Sequence, residues 1–535
     1  MTLPDSLQFI INELEKSKNL TPAQMTTIVK NAKVKVEDLE PWMDLDHPKA
    51  DSYGRRLIHD GGHFEMMVMS WAPGDFSGIH DHGYTQWGAV QIFGPAEHAT
   101  FRVQDDEITT LARWVVKPGD VLGVGHSLVH QMGNPSEKDP FVSLHIYGVQ
   151  EQVDNVTGDA RLYELNEQKI QRINGGVFFA LPESEIARRE NGPVGDFPTL
   201  LRHQVEHANR LIAIHGHEAD VIEKERQSIC GSEKLPQLHD FLEGIIDPET
   251  SKTNNSMQWK VLNMELKATA RLQNKLNARS SKEDSFHKYA ELYDELIGKV
   301  SMRDFMKGYL QYFQEHTEAD LGSQSIISIG CGTGLVEEWI MKEFEADESN
   351  IYGMDLSEAM VNEARQRINA DTGNVLELDP AIRKWDIAYS GLNVFQYLPH
   401  DLLEDAIART AAIVKSGGYF VGDFITPDHM RWYPNVMFSE DKKIISLRTP
   451  NFVEENGAMF QESEILNVSF LHGNMDINYA GKHRRFLPPL HRVRSYFEKY
   501  FGGEVTLLDA VRLTEISEFA DSCPSTRYVV IARKG

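Results

Sequence analysis

The chain has 535 residues, 41% of them hydrophobic and 25% charged, enough apolar material for several cores at about 150 residues per domain. Its 80 acidic and 54 basic side chains leave a net charge of −26. Such a surface repels phosphate backbones and anionic membranes, which excludes nucleic acid as an expected partner.

The opening MTLPDSLQFIINELEKSKN has acids where a signal peptide needs a basic region. No run reaches the roughly 18 apolar residues of a membrane helix. Three widely spaced cysteines, Cys230, Cys331 and Cys523, make no disulfide framework. A cytoplasmic soluble protein with no membrane partner is expected. Residues 5 to 40 carry helical periodicity in two pieces, broken near Asn19 to Pro22, with Thr21 placed to cap the second. From about 53 to 150, short alternating runs punctuated by glycine (FEMMVMSW, WGAVQIFG, FVSLHIYG) predict an all-β barrel or sandwich, with a closing hairpin and tail at 161–182. Helical patterns return over 183–280, interrupted by the polar stretch DPETSKTNNS, and predict a helical connector. Beyond 281, apolar runs alternate with helical segments, as in SIISIG, GLVEEWIMKEF, NIYGMDLS and EAMVNEARQRI. That alternation predicts a parallel sheet covered by helices, ending in an antiparallel pair formed by EVTLLDAVRL and RYVVIARKG. The expected architecture is multidomain: a β unit with N-terminal helices at 1–182, a connector at 183–280 and an α/β unit at 281–535.

The stretch SGIHDHGYTQWG sets His80 and His82 two apart, so a strand would turn both imidazoles to one ion. With Gly74, Trp87 and Gly94 at their spacings, and with KPGDV leading to His130 and Asn134, the pattern resembles the two motifs of the cupin barrels. The resemblance implies His80, His82 and His130 as metal ligands, with tryptophan where most cupins place a glutamate. Imidazoles suit iron(II) among other divalent metals, and three neutral ligands leave the ion its full charge to attract a thiolate.

SLHIY then places Ser143, His145 and Tyr147 on one strand face, and YGRRLI carries Tyr53 and Arg55. Together these motifs, over residues 5–182, resemble the cysteine dioxygenase family, non-haem iron enzymes that use dioxygen as co-substrate. The resemblance implies a Ser143–His145–Tyr147 relay aimed at the bound substrate, and an Arg55 clamp for its carboxylate, with Tyr53 and Trp87 facing the same pocket. An arginine there implies cysteine or a related amino-acid thiol, since relatives that take 3-mercaptopropionate tend to carry glutamine. The animal enzymes cross-link a cysteine to the relay tyrosine, a position this reading gives to Trp87. The unit has no cysteine, so no such bond forms. His126, His203 and His207 are read as structural.

IISIGCGTG is an apolar strand running into Gly330, Gly332 and Gly334, with a helix after it. Such glycines bring the backbone close to a ligand at a helix N-terminus. Asp355 ends the next strand, and Asp379 follows VLEL. This order, with FHKYAELYDEL at 286–296 as a lid helix, resembles the class I S-adenosylmethionine-dependent methyltransferases. It implies cofactor contacts from the three glycines, Asp355 on the ribose, Asp379 on the adenine, and Tyr289. Tyr289, Tyr293 and His429 are the candidate bases. GKHRRFLPPLHRVRSY, a basic island, suits either an anionic substrate or a solvated, salt-bridging face.

Two functional readings stand. One is a bifunctional enzyme: an iron thiol dioxygenase forming a sulfinate, coupled to S-adenosylmethionine-dependent methylation of the same small molecule or its product. The alternative is a methyltransferase whose cupin domain only senses a thiol or metal.

Overall fold

The structure, a computed structural model, describes residues 3–151, 153–216, 220–276, 287–297, 302–431, 433–471 and 473–535. Parts of the expected connector (217–219, 277–280) and the first residue of the expected lid helix lie outside these. The chain forms two compact units: Met1–Ile245 with Asn254–Ala278, and Ile246–Thr253 with Arg279–Gly535. The long helices of the expected connector therefore fall in the first unit and its short hairpin in the second. Among the described residues, no helix is long and apolar enough to cross a membrane.

In the first unit, α1 (Asp5–Leu14) and α2 (Pro22–Ala32) precede the sheets. Thr21 and Gln24 cap α2 reciprocally, each accepting from the other's backbone N–H. The strands are β1 (Gly54–Asp60), β2 (Phe64–Trp71), β3 (Ile79–His80), β4 (Trp87–Ile92), β5 (Ala96–Gln104), β6 (Glu107–Val116) and β7 (Val121–Gly125). They continue with β8 (Val129–Gly133), β9 (Phe141–Gly148), β10 (Ala160–Glu164), β11 (Lys169–Ile173), β12 (Ile186–Asn191) and β13 (Val194–Gly195). One sheet runs β1-β2-β9-β4-β7 and the other β12-β11-β10-β3-β8-β5-β6-β13. The core between them holds Met69, Trp71, Val90, Met132, Tyr147 and Leu162.

Strand β9 is buried throughout because both faces are covered. Val142, Leu144 and Ile146 pack with Leu7, Ile10 and Met25 of the N-terminal helices, while Phe141 and Tyr147 join the core between the sheets. The N-terminal helices thus close the outer face of the sheet whose inner face carries the relay residues.

Four helices follow: α3 (Phe197–His215), α4 (Asp220–Cys230), α5 (Lys234–Ile245) and α6 (Ser256–Leu276). Helices α3 and α6 are tied to the second sheet by buried charge. Glu265 of α6 is fully buried and accepts from Arg113 Nε of β6 at 2.6 Å and from Arg202 Nη1 of α3 at 2.9 Å. Both arginines also donate to Glu97 of β5, at 3.0 and 2.6 Å. His203 and His207 face Glu164 and Glu225, and so serve this helical layer.

The second unit begins with a small hairpin, β14 (Ile246–Asp247) and β15 (Lys252–Thr253), followed by α7 (His287–Ile297) and α8 (Met302–His316). Next come β16 (Ile326–Ile329), α9 (Leu335–Glu343), β17 (Ile351–Asp355), α10 (Glu358–Ala364), β18 (Asn369–Thr372), β19 (Trp385–Ser390), α11 (Leu403–Ile413) and β20 (Val414–Ile425). The chain continues through β21 (Val436–Phe438), β22 (Ile444–Glu455), β23 (Ala458–Ser469) and β24 (Asp476–Phe486), and ends with α12 (Leu490–Phe501), β25 (Gly502–Asp509) and β26 (Arg527–Lys534). The main sheet runs β18-β17-β16-β19-β20-β26-β25, parallel except for the last two strands, which pair antiparallel as their sequence predicts. Helices α8, α9 and α10 cover one face, and α11 and α12 the other. This is a three-layer, doubly wound arrangement. Strands β21 to β24 form a separate antiparallel sheet that the chain-order reading missed.

Replacing Glu265 with alanine leaves Arg113 and Arg202 buried without their shared carboxylate. The expected cost is about 3–5 kcal/mol of the first unit's stability, read as an earlier urea or thermal transition. An unchanged transition contradicts the role given to Glu265.

Candidate metal and methyl-donor sites

His80 ends β3, His82 lies two residues on, and His130 faces His80 directly across the β3–β8 pair. All three are buried, and one ring nitrogen from each falls within 4.8 Å of the others. His130 Nε2 lies 3.1 Å from Nε2 of both His80 and His82. A carbonyl can only accept, so His80 Nδ1 donates to Gly78 O at 2.9 Å and its Nε2 keeps the lone pair. His130 Nδ1 meets His98 Nε2 at 2.8 Å, which leaves the His130 Nε2 to face the other two. Three ring nitrogens that converge this closely, with no acid in the cluster, fit a cation that His80, His82 and His130 would hold.

Electrostatics agree. Burial pulls His80 down to about 4, and pulls His82 and His130 well below the usual imidazole value, helped in both by the charge of His80. Three imidazoles kept neutral fit a divalent cation as ligands. His98 behind His130 is the partner that sequence reading missed; its signal was a histidine two residues before Thr100, the residue paired with His130, and so on the same face of the neighbouring strand.

Residues of the expected relay are brought together. Trp71 Nε1 donates to Ser143 Oγ at 2.8 Å, Ser143 Oγ meets His145 Nε2 at 2.7 Å, and His145 Nδ1 meets Tyr147 Oη at 2.8 Å. Burial lowers His145 to about 3, so it is neutral, with one nitrogen donating and the other accepting. If Ser143 donates to Nε2, the Nδ1–H donates to Tyr147, whose own hydroxyl proton is then free for the site. Tyr147 stays protonated, since burial pushes it upward and only Arg55 opposes. Its ring centroid is 5.2 Å from that of His82.

Tyr53 stacks on Trp71 at 4.6 Å, and its hydroxyl accepts from Val177 N at 3.1 Å. Arg55 donates to Thr157 Oγ1 at 3.1 Å and is 30% exposed, close enough for its charge to act on His145, Tyr147 and Tyr53. Trp87 is elsewhere. It is fully buried among the N-terminal helices, with its Nε1 donating to Lys18 O at 3.0 Å. The strand alternation that sends Val90 and Ile92 inward sends Trp87 outward and Gly88 inward. A Cβ at Gly88 would meet Ile146 O and come within 3.1 Å of Tyr147 Cδ1. The position beside the relay tyrosine therefore belongs to Gly88, one residue on from the expectation.

In the second unit, Gly330, Gly332 and Gly334 all have left-handed φ (77°, 55° and 79°), and a Cβ on Gly330 would strike Val394. Gly332 N donates to Asp355 Oδ2 at 2.9 Å, and Ser357 N donates to Oδ1 at 2.9 Å, so Asp355 fixes both the loop and the start of α10. Gly330, Gly332, Asp355 and Ser357 border a cavity of about 1450 Å³ that also reaches Asn374, Tyr289, His429, Arg448 and Arg485, whereas Gly334 is off its wall and caps the start of α9.

Asp379 is not on that cavity. The third parallel strand is β18, which pairs with β17, and VLEL forms a short turn instead. The strand end facing the cavity is Thr372–Gly373–Asn374, while exposed Asp379 accepts from Ala381 N at 2.8 Å. Tyr289 does line the cavity, but its hydroxyl accepts from Arg448 Nη2 at 3.1 Å, away from the glycine loop. Sequence reading missed Asp423. It accepts from Leu392 N at 2.6 Å and Asn393 N at 3.2 Å, pairs with Arg527, and holds those two residues at left-handed φ of 57° and 56° on the cavity wall.

Comparison with known proteins bears on each unit separately. Residues 2–150 match the family model "Cysteine dioxygenase type I", and residues 326–418 match "Methyltransferase domain". The cysteine dioxygenase type 1 of Danio rerio is 24% identical over 153 residues, covering 27% of this chain and 75% of that protein. The Homo sapiens enzyme is 29% identical over 100 residues, 18% of this chain and half of that protein. A solved S-adenosylmethionine-dependent methyltransferase from Clostridium acetobutylicum aligns with 47% of this chain and 100% of its own, at 16% identity and a TM-score of 0.37. DesVI of Streptomyces venezuelae aligns with 48% of this chain and 100% of its own, at 19% identity and a TM-score of 0.35. The chain is thus similar to cysteine dioxygenases over residues 2–150 and to methyltransferase domains over residues 326–418.

A side chain at Gly332, which lines the cavity at a left-handed φ with open space before it, both strains the loop and takes up cavity space. Gly332→Val is expected to abolish calorimetric binding of S-adenosylmethionine, and unchanged binding contradicts the loop's role.

Proposed function

We propose that the protein is a two-headed enzyme: an iron-dependent thiol dioxygenase acting on cysteine or a related amino-acid thiol, and a methyltransferase acting on the same molecule or its product. The observation that supports the first half most strongly is the convergence of three neutral Nε2 atoms beside Tyr147, with no carboxylate in the cluster. His80, His82 and His130 would hold iron(II), which when bound supplies a site for the thiolate and for dioxygen. The reaction balances without an external reductant, since RSH and O₂ give RSO₂H with both oxygen atoms on sulfur.

The chain's own groups do the rest. Arg55, whose side chain is 30% exposed, offers a planar fork to the substrate carboxylate. The Trp71–Ser143–His145 chain fixes Tyr147, leaving a phenolic proton to donate to the substrate. That chain is also the feature that disfavours a purely sensing cupin, because holding a thiol or a metal does not require an oriented phenol.

In the α/β unit, the glycine loop and Asp355 would hold S-adenosylmethionine, whose sulfonium supplies the methyl group. The S–CH₃ bond breaks as the acceptor's lone pair forms the new bond, and sulfur keeps the electron pair. Three candidate bases are poor ones. Burial, with the Arg527 and Arg485 charges, holds His429 at about 2, and burial pushes the Tyr289 and Tyr293 phenols upward. This favours an acceptor that attacks as an anion without a side-chain base, such as a thiolate, over a hydroxyl or a protonated amine. Consecutive action fits the covalent fusion, and the compartment proposed is the cytoplasm.

Iron-loaded protein given cysteine, ¹⁸O₂ and deuteromethyl S-adenosylmethionine is expected to yield one product carrying both labels by mass spectrometry. Arg55→Ala should raise KM for the thiol about 10- to 100-fold, the loss of a charged hydrogen bond, with iron content unchanged. Absence of any sulfinate and of oxygen uptake refutes the thiol assignment.

A further inference from the structure

The basic island of the sequence is divided by strand β24. Lys482 and Arg484 point one way and pair with Glu462 and Glu455. His483 and Arg485 point the other way and line the methyltransferase cavity. There Arg485 Nε donates to Tyr397 Oη at 2.9 Å and Nη1 to Gln461 Oε1 at 3.1 Å. Across the same cavity Arg448 of β22, only 5% exposed, donates to Tyr289 Oη and to Ser446 Oγ. The two guanidinium carbons flank one ring, 5.5 and 5.9 Å from the centroid of Tyr433.

Every other strongly buried arginine cluster described above has its carboxylate: Arg113 and Arg202 have Glu97 and Glu265, and Arg527 has Asp423. Arg448 and Arg485 have none among the described residues; their partners are phenols, a hydroxyl and an amide. Two cations facing a cavity without a countercharge are costly unless a ligand supplies one. The effect on Tyr433 is in keeping: burial pushes its phenol up, yet the two arginine charges more than offset that and leave it lowered. The acids on the cavity wall, Glu337, Asp355 and Glu358, lie on α9, at the end of β17 and at the start of α10, around the glycine loop. The cavity therefore carries Arg448 and Arg485 on the β21–β24 sheet and its acids around the glycine loop.

Building on the methyltransferase reading, the geometry points to Arg448 and Arg485 as an oxyanion clamp, so that the methyl acceptor is a small molecule bearing a carboxylate or sulfinate. Tyr289, Tyr397 and Tyr433 then wall the acceptor and orient the two guanidinium groups. A cupin that forms a sulfinate on an amino acid would deliver a compound of this class.

The test is calorimetric titration of the metal-stripped full chain, saturated with S-adenosylhomocysteine, using four probes. Cysteine sulfinate carries both oxyanions, cysteine only the carboxylate, hypotaurine only the sulfinate, and cysteamine neither. The oxyanion probes are expected to bind at least tenfold more tightly than cysteamine, with the preference lost in Arg485→Gln and Arg448→Gln and largely kept in Arg448→Lys. Cysteine binding above hypotaurine assigns the carboxylate, and the reverse order assigns the sulfinate. Equal binding of cysteamine, no binding of any oxyanion probe, or a preference that survives both glutamine variants overturns the proposal. Retained S-adenosylhomocysteine binding certifies that a variant is folded. If the wild-type chain itself fails to bind S-adenosylhomocysteine, it is the underlying methyl-donor reading that falls.

Discussion

Three imidazoles, buried to a few per cent exposure and pressed to 3.1 Å with no acid among them, are the constraint around which the first unit is organised. Burial makes them neutral, and neutrality makes them ligands for a cation that keeps its charge. Placing them requires a short strand that ends at His80, a turn that brings His82 back to it, and a second strand paired through His130. Keeping them dry requires covers on both sheets. The N-terminal helices provide one, and the Arg113–Glu265–Arg202 network provides the other by fastening α3 and α6 behind β5, β6 and β8. Glu97 and His98 are neighbours on β5, so the residue that anchors the helices adjoins the residue that orients His130.

The second unit applies a related device at longer range. Its glycine loop and Asp355 line one part of a cavity, and the β21–β24 sheet lines another with cations. A donor with a sulfonium and an acceptor with an oxyanion would be sorted to different walls before any chemistry, which serves alignment for an in-line transfer. Buried ionisable groups therefore line a site in both units: neutral imidazoles in one, and in the other two guanidinium groups held by phenols, a hydroxyl and an amide.

Much of this was legible in the sequence because it rests on spacing. His80, His82 and the Ser143–His145–Tyr147 row follow from a period of two, and the glycines from the turn after an apolar strand. Where legibility failed, the failures were failures of register. Trp87 was given the inward position that Gly88 holds, since one residue flips a strand's face. VLEL reads as the strand before Asp379, but the more polar Asn369–Thr372, of the same length, is the segment that pairs with β17. The sheet from β21 to β24 and the Glu265 network depend on long-range partners, and no local pattern announces those. The basic island suits both a ligand and a surface by sequence; alternation resolves it residue by residue, with Arg484 outward and Arg485 inward.

The account stands on the metal cluster, and metal analysis of the purified full chain tests it most directly. Wild-type protein is expected to carry iron close to one equivalent per chain, with His82→Ala and His130→Ala losing it while the far-ultraviolet circular dichroism stays unchanged. A full iron complement in folded His130→Ala, or no divalent metal bound by the wild-type chain even after anaerobic loading, contradicts the assignment.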